Sequence, residues 1–389
     1  MARIVSFRPG VVRNNTAFEA QALIYKYLQN NYGYNFVIVK SEEDDYSDSL
    51  LKTVSISSRL WQINPYELLS PLSYFKLREI KKLLTDADGI LTLDPIVYPQ
   101  GLAAIKIASD ISKPIWFDSS STTMNTSKGI AWKLRKRIFI EESIRYVTGI
   151  ILTVPKCIER FQYLDLLSSG SIASKFVIMG HPVDTQRFLP MSKLSNQDGI
   201  LRIIVVSRMV PEKGVIYTYQ ALAPILKSRR DVQLTFVGSG PIKSFLEREI
   251  KESGLCDRIA CIESIPHEYL PSFMGTADLF ISHPVTVPYW EEFFGVANLE
   301  AMSCGLPCIV TANGGISYVI RNKGIAEVVE ERNIVNLQES VTQFLDSAEK
   351  RKQYGQRARE YVEQEYALPA IGDKFHKMLQ SGFLRKNVD

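Results

Sequence analysis

The chain has 389 residues, 46% apolar and 23% charged, an ordinary globular composition with more length than one hydrophobic core usually organises, so two domains are expected. A net charge of +4 offers no extended positive groove for nucleic acid, no run approaches the ~20 apolar residues of a bilayer span, and five cysteines do not make a secreted disulfide framework. The start, MARIVSFRPG, runs straight into a strand pattern without the apolar core of a signal peptide, and a cytoplasmic protein is expected.

In chain order, short β-branched runs alternate with helix-length segments. The first predicted strands are RIVSF from Arg3, NFVIVK from Asn35, GILTL from Gly89, PIWF from Pro114, GIILTV from Gly149 and KFVIM from Lys175, with a helix expected from Thr16 to Asn31. Asp86 and Asp88 mimic a paired-aspartate metal motif, but between REIKKLL and GILTL they read as a helix end and a strand start. Residues 1–186 hold 22 Lys and Arg against 18 Asp and Glu, and the remainder 24 of each, so the whole positive excess lies in the first half. Much of it sits in WKLRKRIFI, Trp132 to Ile140, where Trp132, Leu134, Ile138 and Phe139 interleave with the cations. Two readings stay open: a peripheral contact with anionic lipid, or a solvated helix face near a phosphate-bearing site.

A polar, proline-containing stretch, GHPVDTQRFLPMSKLSNQDG from Gly180, reads as a linker. A second strand series follows: LRIIVVS from Leu201, VQLTFVG from Val232, RIACIES from Arg258, ADLFISH from Ala277 and PCIVT from Pro307, with a helical tail after Glu349 that breaks at Pro369. The alternation argues for an α/β chain of two doubly wound parallel-sheet domains joined near residue 186, with a ligand cleft at the carboxyl ends of the strands.

Chemistry concentrates in the second half. After LRIIVVS comes RMVPEKG, which places Arg208 and Lys213 in a strand-to-helix loop ending at Gly214. An Arg fork and a Lys point charge in one loop can meet two phosphates; the plain alternative is a pair of solvated charges. FVGSGPI supplies Gly238 and Gly240 for close backbone approach to a ligand, but Lys243 stands where a dinucleotide fingerprint needs its third glycine. In EEFFGVANLEAMSCGLPC, eight residues separate Glu292 from Glu300, which on one continuous helix would turn them roughly 80° apart. A helix starting near Gly295 instead leaves Glu292 in the preceding loop, puts Glu300 in the second turn, and aims the amides of Val296 and Ala297 at an anionic or hydroxyl-rich group. The spacings Cys256/Cys261 and Cys304/Cys308 do not fit zinc, and no metal is expected. Sequons at Asn14 and Asn125 carry no weight in a chain that is not secreted.

VSRMVPEKG, LTFVGSGP, EFFGVANLEAMSCGLPCIVTANGG and GHPVDTQRFLP together resemble glycosyltransferase family 4, from about Phe176 to Glu365 and more weakly before it. The resemblance implies the GT-B fold, two Rossmann-like domains facing a central cleft, and metal-independent, retaining transfer from a nucleotide diphosphate sugar without other cofactors. It implies an acceptor-side domain at 1–186, a donor-binding domain at 187–366, and a terminal helix at 367–389 that packs back onto the first. Residue by residue, Arg208 and Lys213 resemble the pair that binds the donor diphosphate. Glu300 resembles the ribose ligand, Glu292 the acid near the transferred sugar, and Phe294, Gly295, Val296 and Ala297 the segment that touches its hydroxyls. Gly314 and Gly315 fit the family's twin glycines. The first half departs from the family pattern. SFRPGVVRNNT has Gly10 alone where a Gly-Gly loop is usual, and WFDSSSTT offers Asp118, Ser119 and Ser120 where a histidine is usual. Gly10, Asp118 and Ser120 are thus the acceptor-side candidates. His181 reads as a hinge residue and His283 as a possible contact to donor or acceptor. The acceptor is expected to be a carbohydrate or glycolipid. Two alternatives stand beside this reading: a nicotinamide-dependent oxidoreductase, for which neither half supplies a glycine fingerprint, and a GT-B protein that binds nucleotide sugars without catalysis.

Overall fold

The structure, a computed structural model, describes every residue except 13–15, 59–61, 63–72, 121–132, 135, 168–171, 192–197, 321–323 and 387–389. It divides into two compact units, one of Met1–Pro182 with Ile371–Asp389, the other of Val183–Ala370.

Among the described residues the first unit is built on seven strands, β1 (Arg3–Phe7), β2 (Asn35–Ser41), β3 (Lys52–Ile56), β4 (Gly89–Leu93), β5 (Ile115–Ser119), β6 (Gly149–Leu152) and β7 (Phe176–Ile178). All are parallel, in the order β3-β2-β1-β4-β5-β6-β7. GILTL in β4 and GIIL in β6 are buried at every position, as strands covered on both faces must be, which is why they read as unbroken apolar runs rather than alternating ones. Trp116, Phe117, Phe7 and Phe36 fill the core, and Tyr25 from the helix Thr16–Tyr32 stacks on Phe36 with ring centroids 4.4 Å apart. The terminal helix Leu368–Lys386 contributes Phe375, Met378 and Leu379 to this core, and its Phe383 ring meets Trp116 edge-on at 5.9 Å.

The second unit repeats the plan with β8 (Leu201–Val206), β9 (Val232–Val237), β10 (Ile259–Ile262), β11 (Leu279–Ser282), β12 (Cys308–Thr311) and β13 (Glu327–Val329) in the order β10-β9-β8-β11-β12-β13, again parallel. Its core joins Leu234 and Phe236 of β9 to Leu222 and Leu226 of the helix Val215–Ser228 and Leu337, Val341 and Phe344 of the helix Ile334–Asp346. In each sheet the strand order reverses beside the first strand, between β1 and β4 and between β8 and β11, and the crevice of a doubly wound sheet opens at that point.

Two strands had no counterpart in the sequence reading. β3 (KTVSI) is a largely exposed edge and β13 (EVV) has three residues, so neither carries the apolar run by which buried strands announce themselves.

Candidate functional site

In the second unit the loop after β8 closes in a single 3-10 turn, Pro211–Lys213, and hands over to the helix Val215–Ser228 at Gly214, whose φ is 64°. A Cβ there would sit 1.8 Å from the carbonyl oxygen of His283, so this loop is pressed onto the one after β11. The Val285 N–H donates to the Glu212 carbonyl at 2.9 Å across the same seam. On the other side Met209 donates to the Ser239 carbonyl at 2.8 Å, and Gly238 and Gly240 leave no room for a Cβ beside Ser207 and Met209. The loops at the carboxyl ends of three neighbouring strands thus form one body, carrying Arg208, Lys213, Gly238 and Gly240.

Lys213 forms an ion pair with Glu292, both side chains largely buried, and its ammonium stands 5.0 Å from the centroid of the Trp290 ring. Arg208 shares the loop but is 62% exposed, 3.9 Å from Glu212. Glu292 is held by its backbone: its N–H donates to Asn313 Oδ1 at 2.6 Å, and its carbonyl accepts from Gly315 N–H at 2.7 Å. Buried Asn313 in turn donates through Nδ2 to Thr286 Oγ1 and to Glu331 Oε1, each at 2.8 Å, while Glu331 also accepts from the N–H and hydroxyl of Thr286. Three residues on, Gly295 adopts φ 79° as the N-cap of the helix Val296–Ser303, whose first-turn amides, those of Val296 and Ala297 among them, have no helical carbonyl to meet. Phe294 is buried with its ring edge-on to Tyr366, so it supports the loop from within. Glu300, buried in the second turn, lies 2.7 Å from His267 Nε2.

Trp290, Asn313, Glu331 and His267 were not singled out as ligand contacts from sequence. Their roles come from partners far off in the chain, on the loops or helices that follow other strands, which no local spacing shows. His283 was offered as a ligand contact. It is instead fully enclosed, its Nε2 accepts the Arg332 N–H at 3.1 Å, and burial pushes the imidazole down to about 4, so it is a neutral structural side chain.

In the first unit Asp118, at the end of β5, pairs with Arg8 from the loop after β1 and accepts from Gln21 Nε2 at 3.0 Å. Arg8 also donates through Nε to Ser6 Oγ at 3.1 Å. Burial pulls the Arg8 guanidinium's pKa down, but Asp118 and Tyr25 outweigh it and the net shift is upward. A cavity of about 50 Å³ is lined by Arg8, Gln21, Asp118, Ser120, Thr153 and His181, among others. Desolvation lowers His181 to about 4, against the opposing charge of Asp118, so it belongs to this polar cluster as a neutral ring as well as to the chain junction. Gly10 (φ 83°) is not part of that lining: its N–H is taken by buried Asp44 at 2.9 Å, and it shapes the loop rather than facing the cavity.

Of the basic stretch, Trp132 and Arg135 lie outside the described residues, as do Asn14 and Asn125. Lys133, Leu134, Arg137 and Ile138 are exposed, whereas Phe139 points into the core and leaves the proposed apolar face. Asp88 accepts the Arg3 N–H at 2.8 Å at the start of β1, a structural duty. Among the described residues no three His, Cys, Asp or Glu side chains group as a metal site would need, and no helix is long and apolar enough to cross a membrane.

Two parallel, doubly wound units are the GT-B arrangement, and solved structures of that fold superpose on almost the whole chain. A glycosyltransferase from Rickettsia africae aligns with TM-score 0.76 at 17% identity, covering 98% of each chain, and the Anabaena protein HepE in complex with UDP with TM-score 0.75 at 16% identity, covering 98% of this chain and 100% of that one. Residues 191–361, within the second unit, match the family model of the glycosyl transferases group 1. Curated relatives include the alpha-D-kanosaminyltransferase of Streptomyces kanamyceticus, 29% identical over 44% of this chain and 43% of its own length. Another is a GDP-mannose-dependent monoacylated alpha-(1-6)-phosphatidylinositol monomannoside mannosyltransferase of Corynebacterium glutamicum, 28% identical over 51% of this chain and 54% of its own length. The chain spans about half the length of the curated relatives it matches.

Proposed function

We propose that this protein moves a sugar from a nucleotide diphosphate sugar to an acceptor hydroxyl with retention of anomeric configuration. The observation that carries the reading is the meeting of Lys213, from the loop after β8, with Glu292, which leads into the helix start at Gly295. A diphosphate bound there meets Lys213, Arg208 and the first amides of that helix. Lys213 has three donors, so one hydrogen bond to Glu292 leaves two for phosphate oxygens. Glu292, joined to Lys213, then stands beside the transferred sugar, and Glu300 takes the ribose hydroxyls. With these cations meeting the diphosphate, the reaction needs no metal, and chelation with EDTA leaves turnover unchanged.

In the proposed front-face route the bond from the anomeric carbon to the phosphate oxygen breaks and its electron pair leaves with the nucleoside diphosphate. The acceptor oxygen bonds the same face of that carbon, and its proton passes to the departing phosphate. The chain's contribution is to hold charge where it develops on the leaving group, in a site already built. In the first unit Asp118 and Ser120 are the residues we propose for the acceptor side.

A nucleotide-sugar donor is supported by relatives whose names specify GDP-mannose and by a fold neighbour crystallised with UDP. A lipid-linked acceptor is favoured by the relative that acts on a phosphatidylinositol mannoside and by the exposure of Leu134 (50%) and Ile138 (37%) beside Lys133 and Arg137. Flotation with anionic but not neutral liposomes tests that contact. The main test is a thermal-shift screen of UDP, GDP, ADP and their sugars, since a ligand of the native state raises its melting temperature. Proton NMR of the product made from the stabilising donor follows. A donor-derived anomer of inverted configuration refutes retention, and no shift with any nucleotide refutes the reading as a whole.

A further inference from the structure

Resting on the proposed role of Glu300 as the ribose ligand, we infer that His267 is its positioning residue, holding one carboxylate oxygen so that the other accepts from the ribose hydroxyls. His267 Nε2 lies 2.7 Å from Glu300 Oε1. A carboxylate oxygen accepts, so Nε2 carries the proton and donates. The imidazole is itself fixed. Its turn, between β10 and the short helix Leu270–Met274, is closed by Tyr269 N–H to the Pro266 carbonyl at 2.9 Å and Leu270 N–H to the His267 carbonyl at 3.3 Å. Behind the ring stands Phe188, centroids 5.4 Å apart. Phe188 is buried, and its carbonyl takes the Ser303 hydroxyl at 2.7 Å and Arg359 Nη1 at 2.7 Å, which ties it to the far end of the helix that carries Glu300. The imidazole is thus gripped between Phe188 and the helix Val296–Ser303. A glutamate has three side-chain torsions, and accepting both hydroxyls of a diol on one oxygen needs them settled beforehand, or the freedom lost on binding reduces the affinity gained. A hydrogen bond with an ionised acceptor from a rigid ring settles them.

The test compares, by calorimetry on the full chain, whichever of UDP, GDP and ADP binds with its 2′,3′-dideoxy analogue. The wild-type protein prefers the ribose form. In His267→Ala that preference falls roughly tenfold while affinity for the dideoxy analogue stays the same, and His267→Gln, whose amide nitrogen reaches the place of Nε2, restores most of it. A merely structural role would weaken both ligands alike. A wild-type preference that survives intact in folded His267→Ala overturns this inference alone, whereas a wild-type ratio near one overturns both it and the ribose role of Glu300. Should the alanine variant not fold, nitrogen-15 NMR of the wild-type imidazole decides: an Nε2–H tautomer retained on nucleotide binding supports the inference, and an Nδ1–H tautomer refutes it.

Discussion

At the scale of single residues, Lys213 is the position on which the proposed chemistry turns. It touches Glu292 and Trp290 and lies in the loop that also holds Arg208. Lys213→Ala should lower sugar transfer by on the order of 10² to 10³. Calorimetry with the nucleoside diphosphate and a circular-dichroism melt separate lost charge stabilisation from lost folding, and activity within about threefold of wild type would sink the mechanism. Asn313 makes a different kind of contribution, because all of its hydrogen bonds serve neighbours. Asn313→Ala leaves the part-buried Glu292 N–H without its acceptor and takes one of two donors from Glu331 Oε1, which should lower stability by about 1–3 kcal/mol in a denaturant melt and reduce turnover together. Neither Asn313 nor His267 could be found by spacing. The carboxylates of EEFFGVANLE could, because a break at Gly295 and a helix behind it are local properties of the chain. The partner of each carboxylate arrives from another strand's loop.

At the scale of elements, the handover at Gly214 joins the β8 loop to its neighbour. Gly214→Ala meets two penalties, a left-handed φ of 64° and a Cβ within 1.8 Å of a backbone oxygen that cannot rotate away. Gly254 has a similar φ of 70° with nothing within 4 Å of its would-be Cβ, so Gly254→Ala isolates the conformational part alone. We expect a loss of roughly 1–2 kcal/mol at Gly254 and clearly more at Gly214, with transfer impaired only at Gly214, as urea melts and initial rates will show. The same contrast explains what the sequence disclosed about elements. Central strands such as GILTL and GIIL are legible because burial on both faces demands continuous apolar side chains. The edge strand KTVSI is not, because half its environment is solvent.

At the scale of the whole molecule, two desolvated histidines set an acid limit on stability, one in each unit. His181 and His283 are both lowered to about 4, chiefly by desolvation, from an ordinary value near 6.5. Between those values the unfolded chain binds protons that the folded chain refuses, so stability falls as pH drops below about 6.5 and stops falling near 4. For one such group the loss is roughly 2 kcal/mol at pH ~5. His283→Gln keeps an acceptor for the Arg332 N–H without a titrating ring, and should flatten the second unit's share of the melting-temperature profile between pH ~7 and ~5. Truncation after Ala370 removes Phe375, Met378 and Leu379 from the first unit's core and should lower that unit's melting transition while sparing the other. From the string of residues alone followed the alternation of strands and helices, the doubling of the plan, and the loops in which Arg208, Lys213 and Glu292 stand, because periodicity and glycine breaks are short-range. Only the folded chain could decide that Lys213 meets Glu292, that Glu300 leans on His267, that Asp118 is joined to Arg8, and that His283 is enclosed. Those contacts depend on which strands become neighbours in a sheet, and strand order is set by packing of the whole unit rather than by any stretch of it.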